Sequence, residues 1–124
     1  MRICILGGCG YIGTVLSKQL LEKNKVKIID TQWFGNKLKK NKNLKVVKKD
    51  IRKIKLNDLR GYDILIHLAN IANDPTVELS PTLSWEVNVL AMMNIAEIAV
   101  KAKIKKIIFA SSGSVYGIKK EKKV

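Results

Sequence analysis

The sequence predicts an α/β protein, a Rossmann-like doubly wound parallel sheet of five strands in the order 3-2-1-4-5, truncated after strand 5. Three observations carry that expectation. Short apolar segments rich in Ile, Leu and Val recur along the 124 residues, and helical patterns separate them. Residues 3–13 run from such a segment into a glycine-rich turn and then a helix. Apolar strands alternating with helices give a parallel sheet covered on both faces, and right-handed crossovers then set the strand order.

Strand 1, Arg2–Leu6, is apolar from Ile3 onward, as a strand buried on both faces must be. The turn that follows, Gly7-Gly8-Cys9-Gly10-Tyr11-Ile12-Gly13, satisfies both Gly8-x-Gly10-x-x-Gly13 and Gly7-x-x-Gly10-x-x-Gly13. Glycine lets the backbone approach a phosphate without a Cβ in the way. The next helix, Tyr11 to about Lys23, offers free N–H groups and the positive end of its dipole to that anion. Strand 2, Val26–Ile29, ends at an acid, Asp30, twenty residues beyond Gly10, which completes the context a dinucleotide motif needs. A carboxylate there accepts two hydrogen bonds from a ribose diol and repels a 2′-phosphate, which favours NAD over NADP. Lys37, Lys39 and Lys40 keep NADP open, and capping a turn is the structural alternative for Asp30.

Residues 31–43 are irregular, strand 3 is Leu44–Val47, and a short amphipathic helix follows near 54–59. Strand 4 is Asp63–Leu68, and a long helix runs from about Thr82 to Ala102, with Ser80 as its cap and Pro81 near its first turn. Trp85, Val89, Met92, Met93, Ala96 and Ala99 recur at helical spacing and predict its buried face. Strand 5, Lys106–Ala110, is an exposed apolar edge. The domain is expected to span 1–117, with 118–124 a charged tail. The switch point between strands 1 and 4 predicts a crevice beside residues 7–13 and 67–72.

Composition narrows the classes. Hydrophobic content of 47% with 27% charged residues is globular. No apolar run approaches the roughly 20 residues that span a bilayer, and the N-terminal apolar stretch is broken at once by glycine, unlike a secretory signal. Cys4 and Cys9 are too few for a disulfide framework, so a reducing cytoplasm is the expected setting. The net charge of +14 invites a nucleic-acid reading. Twenty-one of the 24 basic residues are lysine, however, and no lysine lies between Lys55 and Lys101, the pattern of a solvated surface rather than a base-stacking cluster. No specific nucleic acid and no membrane is expected as partner.

The ordered motifs resemble the extended short-chain dehydrogenase/reductases, specifically their NAD-dependent epimerase/dehydratase branch, over the whole chain. The turn glycines Gly7, Gly10 and Gly13, with Tyr11 and Ile12 between them, match the family's cofactor turn. Asp30 matches the acid on the adenosine ribose, and Asp50-Ile51 the pair that holds adenine. His67-Leu68-Ala69-Asn70 matches the strand end beside the nicotinamide ribose, Asn88 the asparagine of the long helix, and Ser111 through Gly117 the end of strand 5. Read on its residue type alone, Asp50 equally ends a strand. The resemblance implies NAD as cofactor, a nucleotide sugar as substrate, and transient oxidation of a sugar hydroxyl followed by return of hydride or elimination. It also implies a homodimer through the long helix, expected to be weak here.

Ser112 is the catalytic candidate, the serine whose hydroxyl bonds the reacting sugar oxygen in the family; Ser111 and Ser114 compete, and a structural role for all three stays open. The family's Tyr-x-x-x-Lys pair lies further on, on a separate helix, so the chain is expected to carry the cofactor half without it. Tyr116 and Lys120 fit that spacing but read as a decoy, because Gly117 interrupts the turn that would place both on one helix face. His67 reads as a packed, hydrogen-bonded residue and Cys9 as a small filler. A stand-alone dinucleotide-binding or regulatory module is the alternative function.

Overall fold

The computed structural model describes residues 1–71, 78–113 and 117. Strands β1 (Arg2–Leu6), β2 (Lys25–Asp30), β3 (Leu44–Lys48), β4 (Ile64–His67) and β5 (Lys106–Phe109) form one sheet in the order β3-β2-β1-β4-β5. Every neighbouring pair is parallel. The order is the expected one, and strand ends move by a residue or so. Asp63, for instance, stays outside β4 because its carboxylate accepts the Arg2 N–H at 2.9 Å and pairs with Lys105 at 2.7 Å.

Strand alternation divides the core into two layers. Cys4, Leu6, Ile29 and Leu65 point to one face and pack with α2 (Leu56–Leu59) and the long helix α3 (Pro81–Lys101). Ile3, Ile5, Val26, Ile28 and Ile66 point to the other, where Leu16 and Leu20 of α1 (Tyr11–Leu20) cover them. Full burial of each such aliphatic side chain contributes about 1.5–3 kcal/mol. Lys27 is the exception in β2: its buried ammonium donates to the Asp58 carbonyl at 2.7 Å and lies over the Tyr62 ring. At the sheet edge, β5 leaves Ile107, Ile108 and Phe109 exposed.

Ser80 caps α3, accepting the Leu83 N–H, and Pro81 opens the first turn as expected. Two other expectations for this helix are corrected. At 21 residues it is long and apolar enough, by length and composition, to cross a bilayer; Glu86 and Glu97 break up the apolar run that the sequence would otherwise show. Its buried face is Val87, Ala91, Ile95 and Ala99, whereas Trp85 and Met93 are exposed. Apolar residues occur on nearly every side of the helix, so helical spacing fits more than one face; a π-helical segment, Glu86–Leu90, lies within it. Ile95→Ala is accordingly expected to lower the unfolding free energy by about 2–5 kcal/mol. Met93→Ala should change it by no more than about 0.5 kcal/mol. Urea denaturation of the two variants distinguishes the observed face from the one that spacing predicts.

Candidate functional site

A cavity of about 520 Å³ opens at the carboxyl ends of the strands, where the topology reverses between β1 and β4. Three groups of residues line it. The glycine turn and the start of α1 supply the floor through Gly7, Cys9, Gly10, Tyr11, Ile12 and Gly13. The segments after β2 and β3 supply one wall, from Asp30, Thr31, Trp33, Phe34, Gly35, Asp50 and Ile51. The segments after β4 and β5, with one α3 residue, supply the other: Leu68, Ala69, Asn70, Ile71, Val87, Ala110 and Ser111.

The turn glycines are required for different reasons. Gly7 has φ +78°, and a Cβ there would meet the Ala69 backbone nitrogen at 2.6 Å, so it lets the turn press against the end of β4. A Cβ on Gly13 would meet Gly8 Cα at 2.5 Å, which makes it a packing glycine. Gly10 differs. A Cβ there meets only the Gly7 carbonyl oxygen at an ordinary 3.5 Å, while its position borders the cavity at the N-cap of α1. Packing among the described residues does not demand glycine at residue 10.

Asp30 joins floor to wall. Its Oδ2 accepts the Cys9 N–H at 2.9 Å and its Oδ1 the Gln32 N–H at 2.6 Å. A carboxylate has about four acceptor directions, so about two remain for a ribose diol. Among the described residues, Lys37, Lys39 and Lys40 do not line the cavity, whose charged lining groups are Asp30 and Asp50. Asp50 both lines the cavity and caps the 3₁₀ turn Ile51–Lys53, accepting the Arg52 N–H at 2.9 Å. The hydrogen-bonded Arg52 guanidinium holds its carboxyl below the usual carboxylate range. Arg52 also reaches Glu86 at 2.6 Å, tying this wall to the π segment of α3.

Asn88 is not among the lining residues. Its Oδ1 accepts the Ile71 N–H at 2.8 Å while its Nδ2 donates to the Ile71 carbonyl at 2.9 Å and to Ser84 Oγ at 3.2 Å. It therefore clamps the wall residue Ile71 from outside the cavity. Ser112 is exposed and lies beyond the lining, next to Ser111, which belongs to it. Ser114, Tyr116 and Lys120 fall outside the described residues, as do Ala72 and the segment 118–124. Burial raises the Cys9 thiol to about 11, and Asp30 adds to that, so Cys9 stays protonated and serves as filler. Sequence patterns do not single out Trp33, Phe34 and Val87 as lining residues; two adjacent aromatics in an otherwise polar stretch are the available signal for the first two.

Residues 3–124 match the model of the NAD dependent epimerase/dehydratase family. The chain belongs to this family. It is 37% identical, over 93% of its length, to a Methanocaldococcus jannaschii protein named provisionally as a UDP-glucose 4-epimerase, of which it covers 39%. Among solved structures it resembles a UDP-N-acetylglucosamine 4-epimerase from Methanobrevibacter ruminantium, in complex with UDP-N-acetylmuramic acid. That match has a TM-score of 0.90 and 30% identity, covering 99% of this chain and 41% of that one. It also resembles the Thermus thermophilus UDP-glucose 4-epimerase in complex with NAD, with a TM-score of 0.78 and 27% identity over 91% of this chain and 38% of that one. The chain thus spans about two fifths of the relatives it matches, and corresponds to the NAD-binding part of the family.

His67 is packed, as expected, at 1% exposure and edge-on to Phe109, with ring centroids 5.5 Å apart. The expected hydrogen bonding is not complete: its Nδ1 has no partner among the described residues. Burial lowers its pKa to about 4. An unfolded histidine takes up a proton near pH 6.5 while the folded one stays neutral, so stability falls as pH drops through this interval and levels off below about 4. The expected loss is on the order of 3 kcal/mol. Denaturation of the wild type and of His67→Phe between pH 5 and 7, above the range where the carboxylates titrate, checks this, with the slope much reduced in the variant.

Proposed function

We propose that this chain binds NAD in the cavity between the β1 and β4 ends and forms the cofactor half of a nucleotide-sugar epimerase or dehydratase. The observation that carries the reading is Gly10, a cavity-lining glycine at a helix N-terminus that no packing among the described residues explains. Bound NAD would supply a reversible hydride acceptor for a sugar carbon. The chain's own groups do the holding. The first-turn N–H groups of α1, at Tyr11, Ile12 and Gly13, meet the pyrophosphate. Asp30 takes the adenosine ribose hydroxyls, and Asp50 with Ile51 takes adenine. Leu68, Ala69, Asn70 and Ser111 border the nicotinamide side, where Asn88 acts through Ile71 as a positioning residue. Ser112 would hydrogen-bond the reacting oxygen of the nucleotide sugar. A weak homodimer would use the exposed Trp85, Leu90, Met93 and Val100 of α3.

Calorimetric titration with NAD tests the reading. Saturable binding is expected, with NADP weaker, and Gly10→Ala should weaken NAD at least about tenfold, about 1.4 kcal/mol, with an unchanged Tm. Gly13→Ala should instead lower the Tm, since its Cβ would meet Gly8 Cα at 2.5 Å. A folded chain that gives no saturable heat with NAD refutes the proposal.

A further inference from the structure

We propose that Trp33 and Phe34 form an aromatic flap that stacks on the adenine of the bound dinucleotide, a binding element separate from the carboxylates on that wall. The inference rests on the cofactor reading above. The sheet order puts β2 and β3 on one side of the glycine turn and β4 and β5 on the other. A ligand whose pyrophosphate sits at the turn therefore extends one half toward the segments after β2 and β3. Trp33 and Phe34 belong to that side, as do Asp30 and Asp50.

These rings are not part of the core. Trp33 is 62% exposed and Phe34 92% exposed, yet both line the cavity. The turn that carries them is closed at both ends. Gln32 is held at φ 57°, a left-handed conformation rare for a non-glycine residue, with its N–H on Asp30 Oδ1 at 2.6 Å. Gly35, at φ 83°, donates its N–H to the Gln32 carbonyl at 3.0 Å. On this turn the two aromatics stand exposed at the cavity rather than packed in the core. A flat purine is the part of the dinucleotide that can cover them, because every base has a π-face to stack on an aromatic side chain. The carboxylate that orders the ribose end, Asp30, also anchors the flap, so ribose capture and stacking draw on one anchor.

Trp33 reports on its own stacking once the other tryptophan, Trp85, is replaced by Phe. In Trp85→Phe, NAD and AMP are expected to change the Trp33 emission saturably, and nicotinamide mononucleotide should not at equal concentration. Trp33→Ala combined with Phe34→Ala should weaken NAD about tenfold by calorimetry, and Trp33→Phe should keep near-wild-type affinity. Both positions are exposed, so an unchanged far-UV circular dichroism spectrum and Tm are expected. Saturable NAD heat with unaltered Trp33 emission, and full affinity in the double variant, overturns the flap while the cofactor reading stands. Absence of NAD heat in a folded wild-type chain overturns the cofactor reading and the flap with it.

Discussion

The Asp30 carboxylate stands where the sheet, the glycine turn and the irregular segment after β2 meet, and its two oxygens accept backbone N–H groups from both neighbours, Cys9 and Gln32. Hydrogen bonds to an ionised acceptor are stronger than neutral ones, and each of these spans a break in regular structure where the backbone has no ladder partner. The turn is fixed from beneath as well: Gly7 donates to the Ile29 carbonyl at 2.9 Å and packs against Ala69. One acid therefore sets the distance between floor and wall before any ligand arrives. A site prepared in this way spends less of its binding energy on ordering itself.

The opposite wall is held from further away. Ile71 carries no side-chain polar group of its own, yet both its backbone polar groups are engaged by Asn88. Asn88 lies in the π-helical segment of α3. The same segment carries Glu86, which Arg52 links to Asp50. This stretch of α3 is thus the point from which both walls are braced, through an amide on one side and an ion-pair chain on the other.

This division explains what the sequence discloses and what it conceals. Strand positions, their order and the glycine turn follow from local patterns, because a buried parallel strand must be continuously apolar and a close turn must lack side chains. Most of the residues expected at the cofactor line the cavity for that reason. Asn88 reads as a cofactor residue in sequence, and in the structure its amide bonds the backbone of the lining residue Ile71, since residue type does not reveal which backbone an amide will meet. Spacing misplaces the buried face of α3 because the helix is apolar on nearly every side. Size favours Trp85 and Met93, while the face turned to the sheet carries Ala91 and Ile95 instead. Trp33 and Phe34 sit in a stretch with no period to read.

Charge operates on two scales in this molecule. The chain as a whole carries +14, which attracts a dianionic pyrophosphate from a distance and raises its encounter rate. Screening limits that pull to about 8 Å at physiological ionic strength, so it says little about what happens inside the cavity. Among the described lining residues there is no lysine or arginine; the charged groups are Asp30 and Asp50. A phosphate bound as proposed would be received by backbone N–H groups and a helix dipole rather than by a cation, with the carboxylates left for hydroxyl and amino donors. That arrangement favours a ligand whose negative charge is central and whose two ends present hydrogen-bond donors. It disfavours one with a further phosphate beside Asp30, and the same surface that draws in any polyanion thus leads to a cavity that discriminates among them.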